Sequence, residues 1–305
     1  MLNSTIAAAR VGFAIGVALG LMASSRGALA FCRTTTCDPN DPKQTCPLDS
    51  HGCNTTGHPL YWPVPCSSYD LQQAATPGIS FAEFSQVAQQ AFASWVAADC
   101  GDGQSPSIDP IELEPIAQAH ECYNQVNPNV NAFFFQSVKW PYPSMPNALA
   151  LTTVKFNTTT GEIYDVDMEI NSADHHITVG DAAVENDLQA IMTHEIGHYF
   201  GLAHSDDLNA TMYAKYKAGS IALRQLRADD VAGICAIYPP GNTVACDPTP
   251  RHGFGTACGD PAPNTQNGCC SSTTAPGHAN AGGGAAIGLL ASLMLLMRAR
   301  RGKKG

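Results

Sequence analysis

The chain has 305 residues, enough for one sizeable domain with additions, and only 14% of them are charged. The formal net charge is −10, and every acidic residue falls between residues 31 and 278, while Arg10, Arg26 and the basic residues after Met297 lie outside that span. So acidic a central region argues against nucleic acid as a partner.

The N-terminus reads as a signal peptide over residues 1–30. Arg10 precedes the apolar run Val11 to Met22, and Ala28-Leu29-Ala30 offers a small-residue cleavage site before Phe31. All 12 cysteines follow that site, an even count that points to disulfides in an exported chain. Residues 31–56 hold Cys32, Cys37, Cys46 and Cys53 among Thr, Asn, Asp, Pro and Gly, a composition that cannot bury a core of its own. A central domain is expected over residues 57–241. Residues 59–69 read as an opening strand. Ser80 with Glu83 forms a capping box that opens an amphipathic helix through Trp95 to Ala98, with Phe84, Val87, Ala88, Ala91, Phe92 and Trp95 on its apolar face. Cys100 and Cys122 flank a Gly/Pro-rich excursion and suggest a loop staple; Cys66 and Cys235 are left over and could pair, although connectivity does not follow from sequence. Val130 to Lys139 reads as a further strand, and Asn147 to Phe156 with Glu162 to Asn171 as a hairpin about residues 157–161. In the second arm, alternation sets Tyr164, Val166, Met168 and Ile170 on a buried face. Asp165, Asp167 and Glu169, grouped with Ile163, fall on the other, read as a solvated face that could also bind calcium.

The stretch Thr193 to His204 carries the chemistry. Asn186-Asp187 supplies an N-cap, and Leu188, Ile191, Met192 and Ile196 follow at helical spacing. At 3.6 residues per turn His194 and His198 share one face, and both imidazoles can reach one ion. Gly201 permits a turn with positive φ that could return His204 as a third ligand. Three protein ligands leave a fourth position for water, the mark of a catalytic zinc site, and Glu195 is placed to touch that water rather than the ion. Met212 follows in Asn209-Ala210-Thr211-Met212-Tyr213, and residues 226–238 read as a closing helix that Asp229 can cap.

The pattern His-Glu-x-x-His-x-x-Gly-x-x-His, from His194 to His204, is the metzincin signature. With Ser205, the Ala-x-Met-Tyr turn and the Asp-Asp-Val-x-Gly-Ile stretch, residues 59–240 resemble the matrixin branch of that group. The resemblance implies an α+β metzincin-like fold: a mixed twisted sheet with an active-site helix, a methionine turn and a closing C-terminal helix. It implies a zinc-dependent endopeptidase acting on proteins or peptides. His194, His198 and His204 are its ligands to one Zn2+, Glu195 its catalytic acid/base, and Gly201 and Met212 its structural residues at the site. It also implies that Tyr213 to Leu226 walls a specificity pocket, where Lys215, Lys217 and Arg224 could favour acidic or long side chains. Three departures stand out: no Pro-Arg-Cys-Gly-type latency segment is found, His175-His176 lacks the spacing of a second zinc site, and Ala214 stands where some metzincins keep a tyrosine. The alternative class is a non-catalytic zinc-binding surface or adhesion protein that keeps the fold; an intact Glu195 argues against it.

Residues 242–278 form a Cys/Gly/Pro-rich linker with Cys246, Cys258, Cys269 and Cys270. In the tail, 279–305, the apolar run 279–297 suffices for one bilayer span, and Arg298, Arg300, Arg301, Lys303 and Lys304 should stay cytoplasmic. The order of cysteine, Gly-rich apolar span and Arg cluster resembles myxobacterial surface-sorting tails. The expected location is therefore the cell surface or outer envelope, with release after processing near Cys269-Cys270.

Overall fold

The computed structural model describes residues 31–39, 41–242 and 245–255 and the backbone of residues 287–293. The expected signal peptide, Cys258, Cys269, Cys270 and the basic end lie outside these residues. The elements run β1 (Cys66–Leu71), α1 (Phe81–Val96), β2 (Asp109–Glu112), β3 (Ala132–Gln136), β4 (Ala150–Asn157), β5 (Ile163–Asn171), β6 (Ile177–Thr178), β7 (Asn186–Asp187), α2 (Leu188–Tyr199), a 3-10 turn (Ala222–Arg224), α3 (Ala228–Ile237) and β8 (Ile287–Leu293). The main sheet has the order β2-β1-β3-β5-β4-β8, with β6 and β7 as a separate pair. β1, β2, β3 and β5 are parallel, whereas β4 runs antiparallel to β5 and β8. This is the mixed sheet with helices expected of the α+β class.

α1 starts where its capping box predicts: Ser80 accepts from the Glu83 amide, and Glu83 reaches back to the Ser80 amide. Its six predicted apolar residues are all buried. α2 lies across α1, and the Trp95 indole donates to the Thr193 carbonyl at 2.8 Å. Tyr199 at the end of α2 donates to Ser68 of β1, which ties the helix to the sheet. Between these layers the core packs Phe84, Phe92, Trp95, Phe133, Val166, Met168, Ile170, Ile191, Met192 and Ile196.

Four sequence expectations need correction. First, the opening strand is shorter, starting at Cys66. Second, the closing helix is not capped by Asp229. Arg227 occupies the N-cap, its amide is held by Asp230, and Asp229 is buried against the Ser205 hydroxyl. Third, a bulge at Lys155/Phe156 breaks the β5 alternation, so that Ile163 joins the main core and Tyr164 stacks with Tyr123. The acids of β5 do not face solvent either. Asp165, Asp167 and Glu169 are buried, with Asp167 accepting the Cys122 and Ala132 amides and Glu169 bonded to Gln136 and Tyr142. The Gly/Pro-rich excursion folds over this face, which sequence alternation alone cannot reveal.

The fourth correction concerns the disulfides. Cys32–Cys53, Cys37–Cys46, Cys66–Cys246 and Cys100–Cys235 are bonded. Cys100 thus pairs with α3 rather than with Cys122, because the 100–107 excursion docks on the helix end, where Ser107 bonds the Tyr238 and Pro239 carbonyls. Cys122 is itself disulfide-bonded. As to the tail, no helix among the described residues is long and apolar enough to cross a membrane. Within the expected span, Ile287–Leu293 run as an extended strand along β4 rather than as a helix. The edge of β4 offers unpaired backbone groups that an apolar segment can satisfy.

Candidate metal centre

α2 owes its position to both ends. The Asp187 carboxylate accepts the Ala190 amide at 2.7 Å and caps the helix. Arg224 then clamps that cap, reaching Asp187 from Nε at 2.8 Å and from Nη2 at 2.5 Å, and Asp181 from Nη1. Arg224 is therefore committed to holding the segment after Met212 against the helix and is not a free cation for substrate, contrary to the sequence reading. Tyr216 strengthens the same junction: its hydroxyl accepts the Asp187 amide and donates to the Ser220 carbonyl. Lys215 lies over the Tyr213 ring, 6.0 Å from its centroid.

At the other end α2 stops after Tyr199, and Gly201 turns the chain at φ +92°. A Cβ at Gly201 would overlap the Leu60 carbonyl, so the turn needs glycine for space as well as for conformation. His204 returns beside the helix. One ring nitrogen from each of His194, His198 and His204 lies within 4.8 Å of the other two. Two of the three rings have their orientation fixed from behind by a backbone carbonyl. His194 Nδ1 donates to the Thr211 carbonyl at 2.6 Å, and His198 Nδ1 donates to the Leu202 carbonyl at 2.8 Å. Because a carbonyl can only accept, the proton sits on Nδ1 and the Nε2 lone pair is free. Nε2 of all three histidines is buried and has no protein partner. Burial holds all three rings neutral, with His194 pushed down to about 3 and His204 to about 4.

Three convergent neutral imidazoles with orphaned nitrogens fit a tetrahedral zinc with one open position. Among the described residues the only other convergent set is Cys66, Asp109 and Cys246, whose two cysteines are bonded to each other. The acids of β5 are not among the convergent sets of the described residues.

Glu195 is buried between His194 and the sheet. Its Oε2 accepts the Thr152 hydroxyl at 2.6 Å, and Oε1 is left without a partner. Burial pushes its carboxyl up to about 8 against the opposing pull of the Thr152 bond. A divalent cation beside it favours the carboxylate. Met212 packs under the helix at Gly197, where a Cβ would overlap the Met212 sulfur and crowd the Trp95 ring. The turn is held by Asp230, which accepts the Thr211 and Met212 amides at 2.8 and 2.9 Å. Thus the predicted site residues are brought together, while Thr152, Asp230 and the two ring-orienting carbonyls were not anticipated. Asp230 stands in the Asp-Asp-Val-x-Gly-Ile stretch, but its role was not read from it; the others carry no sequence signal, because a backbone carbonyl has none and Thr152 depends on the register of β4.

Residues 118–239 match the family model for matrixin. Over these residues the chain is similar to matrixin-type metalloproteases. A stretch of 68 residues is 38% identical to metalloendoproteinase 1-MMP of Arabidopsis thaliana, covering 22% of this chain and 18% of the relative. A stretch of 54 residues is 48% identical to interstitial collagenase of Bos taurus, covering 17% and 11%. Metalloendoproteinase 4-MMP of Arabidopsis thaliana aligns over 167 residues at 25% identity, covering 55% of this chain and 43% of the relative. The chain thus spans less than half the length of these relatives.

Proposed function

We propose that this chain is a matrixin-type zinc-dependent endopeptidase with His194, His198 and His204 as ligands and Glu195 as general base and acid. The observation that carries the reading is the set of orphaned nitrogens beside the one free Glu195 oxygen. A zinc ion held there supplies Lewis acidity and lowers the pKa of a water at its open position towards about 7. Thr152 holds Glu195 by Oε2 and so leaves Oε1 to take the proton of a water attacking the scissile carbonyl. Glu195 then gives that proton to the leaving amine, completing hydrolysis. The His194 and His198 rings stay in one tautomer throughout because their Nδ1 protons are fixed on carbonyls. The non-catalytic alternative gives no reason for a buried carboxylate with one oxygen left free. Disulfides and the leader-like N-terminus support export to the cell surface or the surroundings, with proteins or peptides there as substrates. Casein or gelatin cleavage by the purified protein tests the activity: a chelator should abolish it and added zinc restore it, whereas cleavage indifferent to chelation would contradict the reading.

A further inference from the structure

Residues 31–58 lack a core of their own, yet several of their hydrogen bonds run to the short turn between the second and third histidines. Helix α2 ends at Tyr199; the Gly201 and Leu202 amides still bond back to the His198 and Gly197 carbonyls, both at 2.9 Å, but the Ala203 amide does not. The N-terminal segment supports the turn from its other side. The Ala203 amide donates to the Cys32 carbonyl and the Thr34 amide to the Gly201 carbonyl, both at 2.9 Å. Arg33 and Leu202 form an antiparallel bridge. The Thr34 hydroxyl donates to the Leu202 carbonyl at 2.9 Å. That carbonyl is the one that accepts His198 Nδ1 at 2.8 Å. One oxygen therefore carries two donors, the ring of a ligand and the hydroxyl of the N-terminal segment. Further out, His51 meets Asp206, two residues past His204, at 3.0 Å.

The segment is held extended for this task. Cys32–Cys53 and Cys37–Cys46 stand on either side of Thr34, and the Leu60 amide and Arg33 guanidinium tie the same strand to the start of the domain. Partners that orient a ligand's second nitrogen fix its tautomer and aim its free lone pair, and their loss weakens metal binding.

We propose that residues 31–37 are a disulfide-stapled brace of the metal centre, and that Thr34 is a positioning residue for His198 acting through the Leu202 carbonyl. The inference rests on the zinc reading above. Release of zinc from the loaded, full-length protein to a colorimetric chelator tests it without recourse to activity. Thr34→Val keeps the branched shape and removes the hydroxyl; it should release zinc about tenfold faster. Thr34→Ser restores the donor and should release at the wild-type rate. Removing the Cys32–Cys53 staple with paired Cys→Ser changes should accelerate release in the same direction, and this variant serves if Thr34→Val does not fold. Zinc held by wild type and released equally slowly by Thr34→Val, or by the staple variant in its place, would overturn the brace alone. A wild-type protein that takes up no zinc would overturn the site reading and the brace with it.

Discussion

Asp70 and Asp165 are buried carboxyls with neither oxygen hydrogen-bonded, and both belong to strands of the same sheet. Burial, helped by the charge of Glu112, pushes Asp70 up to about 8, and burial with Asp167 alongside pushes Asp165 upward as well. The folded chain therefore keeps a proton on Asp70 that the unfolded chain loses near pH 4. Stability from this group is complete below about pH 4 and declines as pH rises towards 8. Asp70→Asn should remove that decline, so its advantage over wild type should widen with pH by at most about 1.4 kcal/mol per unit. Urea unfolding from pH 4 to pH 8 measures it, and parallel curves for the two proteins would contradict it. At Gly197, a methyl group would meet the Met212 sulfur and Trp95. Gly197→Ala should cost about 1–3 kcal/mol through overpacking and weaken zinc binding as the methionine turn is displaced, both read from denaturation and metal titration. The three histidines and Glu195 were legible because helical periodicity alone places two rings on one face and glycine permits the return of the third. Thr34 and Thr152 were not, since each meets the site across a pairing whose register no local pattern fixes.

At the scale of elements, the segment from Thr211 to Arg227 is held by two carboxylates, Asp187 at the start of α2 and Asp230 in α3. Asp187 is fully buried, whereas Asp181, the other partner of Arg224, is exposed and contributes little. Arg224→Ala would leave the Asp187 charge buried with only helix amides for partners. A loss of about 3 kcal/mol is expected, with loosening of the segment beneath the histidines; thermal unfolding of the zinc-loaded variant checks it, and an unchanged Tm would refute the clamp. The long helices were readable because capping residues and apolar spacing agreed at Ser80 and Asp187. β2 was not anticipated, as Asp109-Pro110-Ile111-Glu112 is short and contains proline, which an edge strand tolerates. The β5 bulge was missed for a related reason: a period of two reports faces only while the ladder stays in register.

For the whole molecule, a hydrophobic core between sheet and helices is bounded by peripheral segments: Cys32–Cys53 and Cys37–Cys46 staple the N-terminal one to itself, while Cys66–Cys246 and Cys100–Cys235 tie others to β1 and α3. Every described cysteine is bonded. Thiol titration of the denatured, unreduced protein should therefore detect at most traces of thiol from these cysteines, and reduction should lower its stability. Several reactive thiols among them would contradict this picture and the export proposed above. The fold class followed from the sequence because one motif is tied to one architecture. The disulfide map did not, since pairing depends on which excursions dock together, as residues 100–107 do on α3. The central claim is that three histidines hold a zinc beside a carboxylate that handles the proton and not the ion. Zinc content and casein cleavage, measured on the same preparations of wild type, Glu195→Ala and His198→Ala, test it most directly. Wild type should carry about one zinc per chain and cleave, Glu195→Ala should keep the zinc and lose cleavage, and His198→Ala should lose both. A Glu195→Ala protein that still cleaves, or that loses its zinc together with its activity, would contradict the account.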